Sequence, residues 1–191
     1  MKRVAFGAIL IALAVPSTVQ AQNLELIFQV GGTLASYSGD DISSSTDVGF
    51  AAGGKVRMGG PFYIDGGIFW GANGGTVETG TASDAVGTTG MRFPVTLGVR
   101  VIRARIIDVR VYGGGVFDVI SSVRDNDFGF VKDDVKSSVF SGKVGAGVDI
   151  AILAVDLAYE FGLSDVFESS AGLGGVKRNG WIAEAGLRFG F

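Results

Sequence analysis

The stretch Met91-Arg92-Phe93-Pro94-Val95-Thr96-Leu97-Gly98-Val99-Arg100-Val101 decides the fold. Taken in steps of two, Met91, Phe93, Val95, Leu97, Val99 and Val101 are apolar, while Arg92, Pro94, Thr96, Gly98 and Arg100 between them are charged, small or polar. A period of two with unlike faces belongs to a β-strand, because successive side chains of a strand point to opposite sides. Working outward, Phe50, Ala52, Gly54, Val56 and Met58 oppose Lys55 and Arg57, and Ile64, Ile68 and Trp70 oppose Tyr63, Asp65 and Phe69. Val109, Val111, Phe117 and Val119 oppose Arg110, Tyr112 and Asp118; Phe140, Val144, Ala146 and Val148 oppose Ser141, Lys143 and Asp149. Val155, Leu157, Tyr159 and Phe161 oppose Asp156 and Glu160, and Trp181, Ala183, Ala185, Leu187, Phe189 and Phe191 oppose Glu184, Gly186 and Arg188. A weaker strand over Leu24 to Ala35 brings the expected number to eight, and an even number suits a closed bacterial barrel.

Composition supports strands over helices. The 191 residues include 32 glycines and 3 prolines at 47% hydrophobic content, and each glycine inside a helix would cost about 1 kcal/mol. The glycines have no period of three, so a collagen-like reading fails. Lys2 and Arg3, the apolar run Val4 to Val15 and the small residue Ala21 follow the order of a secretory leader. The expected division is a signal peptide over 1–21 and one barrel domain over 22–191. The run is short of the about 20 residues that a membrane helix needs, which weighs against a retained anchor.

The expected connections alternate in length. Long polar ones run over Tyr37–Asp47, Gly71–Gly90, Ser121–Lys136 and Leu163–Gly180, and short ones over Gly59–Pro61, Ile102–Ile106 and Ala151–Ala154. Long outer loops and short inner turns are the arrangement of an outer-membrane barrel. The expectation is therefore an all-β, eight-stranded, antiparallel up-and-down transmembrane barrel in the outer membrane of a Gram-negative bacterium, with both termini in the periplasm. Phe50, Trp70, Phe93, Phe117, Phe140, Phe161 and Trp181 would then form an outer aromatic girdle, and Phe62, Phe189 and Phe191 an inner one, at the depths where rings meet headgroups. The rival is a soluble barrel or sandwich with its apolar face turned inward.

If the apolar face meets lipid, the lumen receives Lys55, Arg57, Arg92, Arg100, Arg110, Lys143 and Arg188 together with Asp65, Asp118, Asp149, Asp156, Glu160 and Glu184. An eight-stranded lumen is about wide enough for its own side chains, and a buried charge without a partner costs several kcal/mol. These groups are expected to pair and plug the lumen. The alternatives are a narrow pore for small solutes or ions and a component of an envelope secretion complex.

Other chemistries find little purchase. The chain has no histidine and no cysteine, so the commonest general base, the commonest metal ligand and any disulfide are missing. Ser121, Ser122, Ser137 and Ser138 lack the histidine of an acyl-transfer triad, and no catalytic residue is expected. Asp125-Asn126-Asp127 begins like a calcium loop without its later glycine and glutamate; with Asp40, Asp41, Asp133 and Asp134 it reads as solvated acidic loop. Gly113-Gly114-Gly115 and Gly174-Gly175 lack the Lys-Ser/Thr of a phosphate-binding loop. No metal or cofactor is expected. The 16 basic and 19 acidic side chains, two of the basic ones in the leader, give no reason to expect nucleic acid.

Three stretches carry a family likeness: Val30-Gly31-Gly32-Thr33-Leu34-Ala35-Ser36, Met91-Arg92-Phe93-Pro94-Val95, and Asn179-Gly180-Trp181 leading to Gly186-Leu187-Arg188-Phe189-Gly190-Phe191. The chain resembles the PorT-like outer-membrane β-barrel family, whose members share architecture with OmpA-like and OmpX-like barrels. The resemblance implies that Phe191 belongs to the signal read by the barrel-assembly machinery. It also implies outer-membrane lipid and lipopolysaccharide as surroundings and admits a surface or secretion-complex protein as partner. Pro94, which has no amide to donate, is expected to bring a bulge or a missing rung.

Overall fold

The computed structural model describes residues 24–38, 43–45, 47–79, 82–123, 137–165 and 177–191. The leader expected over 1–21 lies outside these residues, as do the acidic stretches at Asp40, Asp41, Asp125, Asp127, Asp133 and Asp134.

The strands in chain order are β1 (Leu24–Ser38), β2 (Ser43–Ser45), β3 (Asp47–Gly59), β4 (Phe62–Thr79), β5 (Ala82–Arg103), β6 (Ile107–Val123), β7 (Ser138–Ile150), β8 (Leu153–Gly162) and β9 (Lys177–Gly190). Apart from the three-residue β2, which pairs with β4, each strand pairs antiparallel with its neighbours along the chain, and β1 with β9 joins the two ends of the sheet. Eight long strands thus close into an up-and-down barrel, which leaves no unpaired edge. The backbone amide of Phe191 donates to the carbonyl of Leu24 at 2.8 Å and extends that seam by one residue.

The two faces separate as the alternation requires. Val95, Leu97, Val111, Val144, Val155 and Leu157 are exposed on the outside, while Arg57, Asp65, Arg92, Arg110, Asp149 and Asp156 are buried inside. The barrel wall is therefore apolar outward and charged inward, the reverse of a soluble barrel. Apolar side chains share the interior as well: Ile27, Phe69, Val116, Val139 and Ile182 are buried among the charges.

One expected loop is not a loop. Over the range taken as the connection Gly71–Gly90, β4 and β5 continue to pair from Gly71↔Gly90 to Thr79↔Ala82. The short β2 joins this extension by pairing Ser43–Ser45 with Thr76–Glu78 of β4. Other strands also overrun their expected ends: β1 reaches Ser38, β6 takes in Ser121 and Ser122, and β9 begins at Lys177. At Pro94 the ladder to β4 breaks, with no pairing between Gly66↔Val95 and Phe69↔Arg92, while the ladder to β6 runs through Pro94↔Val116 unbroken. The missing amide thus costs rungs on one side without shifting register; the shifts toward β6 lie at Thr89/Gly90 and Arg100/Ile102.

Glycine makes room inside. Gly98 sits under the ring of Tyr63, and a Cβ there would stand 2.7 Å from Tyr63 Cε1. At Gly147 a Cβ would come within 2.5 Å of Arg110 Cζ, so the bare backbone is what admits the guanidinium. In a lumen this narrow, glycine on one strand is the seat for a large side chain on the next.

Candidate functional site

The lumen holds the only dense assembly of chemically active side chains among the described residues, and it falls into two networks. The larger lies near the end of the barrel where β1 begins and β9 ends. Arg57 donates through Nε to Asp65 at 2.9 Å and through Nη1 to Asp149 at 2.9 Å and Glu25 at 3.3 Å. Arg110 donates through Nη2 to Asp149 at 2.8 Å and to Asp156 at 3.1 Å, and its Nη1 also meets Asp156. Lys55 reaches Asp156 at 3.0 Å, where Gln29 Nε2 also donates at 2.7 Å. Arg100 donates to Glu25 at 2.7 Å, and Arg188 to Asp108 at 3.1 Å and to Glu25 at 3.4 Å. Tyr63 lies against Arg57, its ring centre 4.7 Å from Cζ.

The smaller network lies toward the opposite end. Arg92 donates through Nε to Asp118 at 3.0 Å and through Nη2 to Glu160. Arg178 donates to the other oxygen of Asp118 at 2.5 Å, and Lys143 stands 3.4 Å from Glu184 and 3.8 Å from Glu160. Phe69 and Val116 pack beside it. No ion pair between described residues joins one network to the other.

Each network is neutral. The larger sets Lys55, Arg57, Arg100, Arg110 and Arg188 against Glu25, Asp65, Asp108, Asp149 and Asp156, five cations to five carboxylates. The smaller sets Arg92, Lys143 and Arg178 against Asp118, Glu160 and Glu184, three to three. Glu25, Asp108 and Arg178 were missing from the sequence reading, and they supply the balance. All three stand next to a strand end: Glu25 is the second residue of β1, Asp108 of β6 and Arg178 of β9. Glu25 falls inside the strand expected over Leu24 to Ala35, on the face of Ile27 and Gln29, whereas Asp108 and Arg178 are reached by carrying the alternation back one residue from Val109 and three from Trp181.

The two described voids beside Arg92 measure about 10 Å³ each, about the room of one water. Ser121, Ser122, Ser137 and Ser138 are exposed. Among the described residues no group of three carboxylates, histidines or cysteines could hold a metal ion.

On the outer wall, Phe50, Trp70, Phe117, Phe140, Phe161 and Trp181 are exposed and Phe93 is half-buried. Phe50 and Trp70 meet edge to face at 5.4 Å, and Trp181 meets Tyr159 in the same way at 5.2 Å. Phe62, Phe189 and Phe191 are exposed at the end where the termini lie, with Phe28 at 6.4 Å from Phe189.

An apolar outer wall carrying rings around a closed, charged interior defines a membrane-type β-barrel. The chain belongs to the outer membrane protein beta-barrel domain family, whose model matches residues 7–189. Among solved structures it is similar to the outer membrane protein OprG from Pseudomonas aeruginosa, with a TM-score of 0.61 and 11% identity over 90% of this chain and 96% of that one. It is also similar to Ail, the attachment invasion locus protein of Yersinia pestis, solved in complex with the heparin analogue sucrose octasulfate. That match has a TM-score of 0.49 and 16% identity over 87% of this chain and 99% of Ail. At such identities the likeness is one of fold. No curated protein matches the chain in sequence.

Proposed function

We propose that the protein is a non-enzymatic outer-membrane barrel whose lumen is plugged by its own salt bridges, and which serves as a rigid scaffold for the four connections at the end away from its termini. The observation that carries this reading is the neutrality of both networks. A conducting lumen that selects ions needs an excess of one sign at its narrow point, whereas here every luminal cation has a carboxylate within reach and the side chains fill the bore. Arg110 and Asp149, with side chains 0% exposed, stand where any axial path would have to run.

The remaining parts of this reading are supported by the family's location in the outer membrane. Both termini lie in the periplasm, reached by a leader over 1–21 that is removed on export. Phe191 and the alternating residues before it present the signal for the assembly machinery, a reading that rests on the resemblance to the PorT-like branch. Lipid and lipopolysaccharide surround the aromatic belts, and any protein partner meets the outer connections, where binding on rigid scaffolds usually resides.

The test is planar-bilayer recording on protein shown to be folded by a band that shifts on heating. Membranes holding the protein should stay electrically silent or show only brief, irregular events. Steady, anion-selective steps would overturn the plug and leave a pore. Deleting residues 124–136 should keep the heat-shifted band and remove surface binding.

A further inference from the structure

Beside the balanced lumen, charge is uncompensated at its mouth on the side of the termini. A cavity of about 450 Å³ opens there, lined by Arg100, Arg103, Arg105 and Arg188 and by two carboxylates, Glu25 and Asp108. Both carboxylates are already engaged in the larger network, Glu25 by Arg57, Arg100 and Arg188, and Asp108 by Arg188. Arg103 and Arg105, on and beside the turn between β5 and β6, are exposed and make no ion pair with any described residue. Arg100 adds a guanidinium whose side chain is 1% exposed and whose Nε has no hydrogen-bond partner. Two cationic charges therefore stand uncompensated at a cavity of ligand size, in a molecule that neutralises its described luminal charges.

The rim says what kind of anion fits. Ile102, Ile106 and Ile152 are exposed around the same mouth, and Phe191 is exposed beside it. Guanidinium groups bind phosphate oxygens in pairs, and exposed isoleucines beside them offer apolar surface of the kind that acyl chains cover. We propose that this mouth is a binding site for a phosphate-bearing headgroup, supplied by an anionic phospholipid of the leaflet on the side of the termini. Arg103 and Arg105 clasp the phosphate from the turn while the isoleucines hold the tails. The lipid source rests on the barrel's spanning a membrane; the phosphate chemistry does not.

The experiment uses the full protein, purified in neutral detergent and shown by its heat-shifted band to be folded, so that failure of the membrane reading is seen before any lipid is added. Native mass spectrometry after incubation with equimolar phosphatidylglycerol and phosphatidylcholine should show phosphatidylglycerol preferentially retained. Each basic residue near an anionic surface is worth roughly fivefold in affinity, so R103Q/R105Q should lose on the order of tenfold or more of that retention while keeping its heat-shifted band. R103K/R105K, which keeps the charge, should keep most of it. Equal retention of the two lipids, or an unchanged R103Q/R105Q, would overturn the site. In a second arm, inorganic phosphate is titrated against the backbone amide signals of Arg103 to Ile107. Shifts that phosphatidylglycerol produces at far lower concentration than phosphate support the lipid headgroup; saturation by phosphate with no preference for the lipid would overturn that source.

Discussion

The two luminal networks use the same chemistry at different densities. Near the termini, Asp149 takes hydrogen bonds from both Arg57 and Arg110, and Asp156 takes them from Arg110, Lys55 and Gln29. Toward the other end, Arg92 is the only cation hydrogen-bonded to two carboxylates, and Lys143 holds Glu184 and Glu160 at 3.4 and 3.8 Å. The larger network is a mesh in which each carboxylate at the centre has several donors; the smaller is a chain. A mesh fails when its hub is removed, because several charges lose partners together in a site that water does not reach. A chain loses one link and keeps the rest.

The largest effect should come from the hub of the mesh. Arg110→Met leaves Asp149 and Asp156 with fewer partners in a fully buried setting, and breaking such a pair costs about 3–5 kcal/mol. The expected outcome is a fall of that size in unfolding free energy in urea, measured in detergent or vesicles. It should be accompanied by the first resolvable conductance, since water must enter to hydrate the orphaned carboxylates. A loss under about 1 kcal/mol would show that Arg57, Lys55 and Gln29 suffice without it, on the scale of an ordinary hydrogen bond.

The corresponding cut in the chain should cost less. Arg92→Met leaves Asp118 bound to Arg178 at 2.5 Å and Glu160 within 3.8 Å of Lys143. The expected loss is about 1–3 kcal/mol, that of a buried acceptor only partly released, with no change in conductance because the mesh below remains closed. If the two substitutions cost the same, the distinction between mesh and chain is wrong and burial alone sets the penalty.

Most members of the two networks could be read from the sequence as inward-facing charges, and the absence of the rest has a physical cause. Arg57, Arg110, Asp149 and Asp156 are each flanked by two apolar residues, Val56 and Met58, Val109 and Val111, Val148 and Ile150, and Val155 and Leu157, which fix the face of the charge between them. Glu25 follows only Leu24 in β1, and Ile27 on the same inward face blurs the alternation there. Asp108 follows Ile106 and Ile107, two consecutive apolar residues that blur where the alternation of β6 begins. Arg178 precedes Gly180 in a stretch without apolar alternation, and only its pairing with Tyr37 shows it to be strand. The paired stretch from Gly71 to Gly90 is the same problem enlarged, since its sequence carries no regular apolar alternation and only its pairing shows it to be strand. What the sequence lacked altogether was partner choice: that Arg57 reaches Asp65 and Asp149, while Arg92 reaches Asp118 and Glu160, is set by barrel closure.

The smallest expected effect separates the mesh from the turn beneath it. Ala151, at the β7–β8 turn, has φ of +51°, a left-handed conformation in a residue with a Cβ, and Arg188 Nη2 donates to its carbonyl at 3.1 Å. The left-handed backbone costs a non-glycine residue roughly 1–2 kcal/mol, and glycine would remove that while giving back some entropy to the unfolded chain. Ala151→Gly should therefore stabilise the barrel by about 0.5 kcal/mol, the difference of those two effects, read from the urea midpoint at unchanged slope. If the Arg188 contact is what holds the turn, Arg188→Met should erase the gain by letting the carbonyl turn away. A gain that survives Arg188→Met would mean that the turn is strained on its own account and that the mesh ends at Arg188 without reaching the turn.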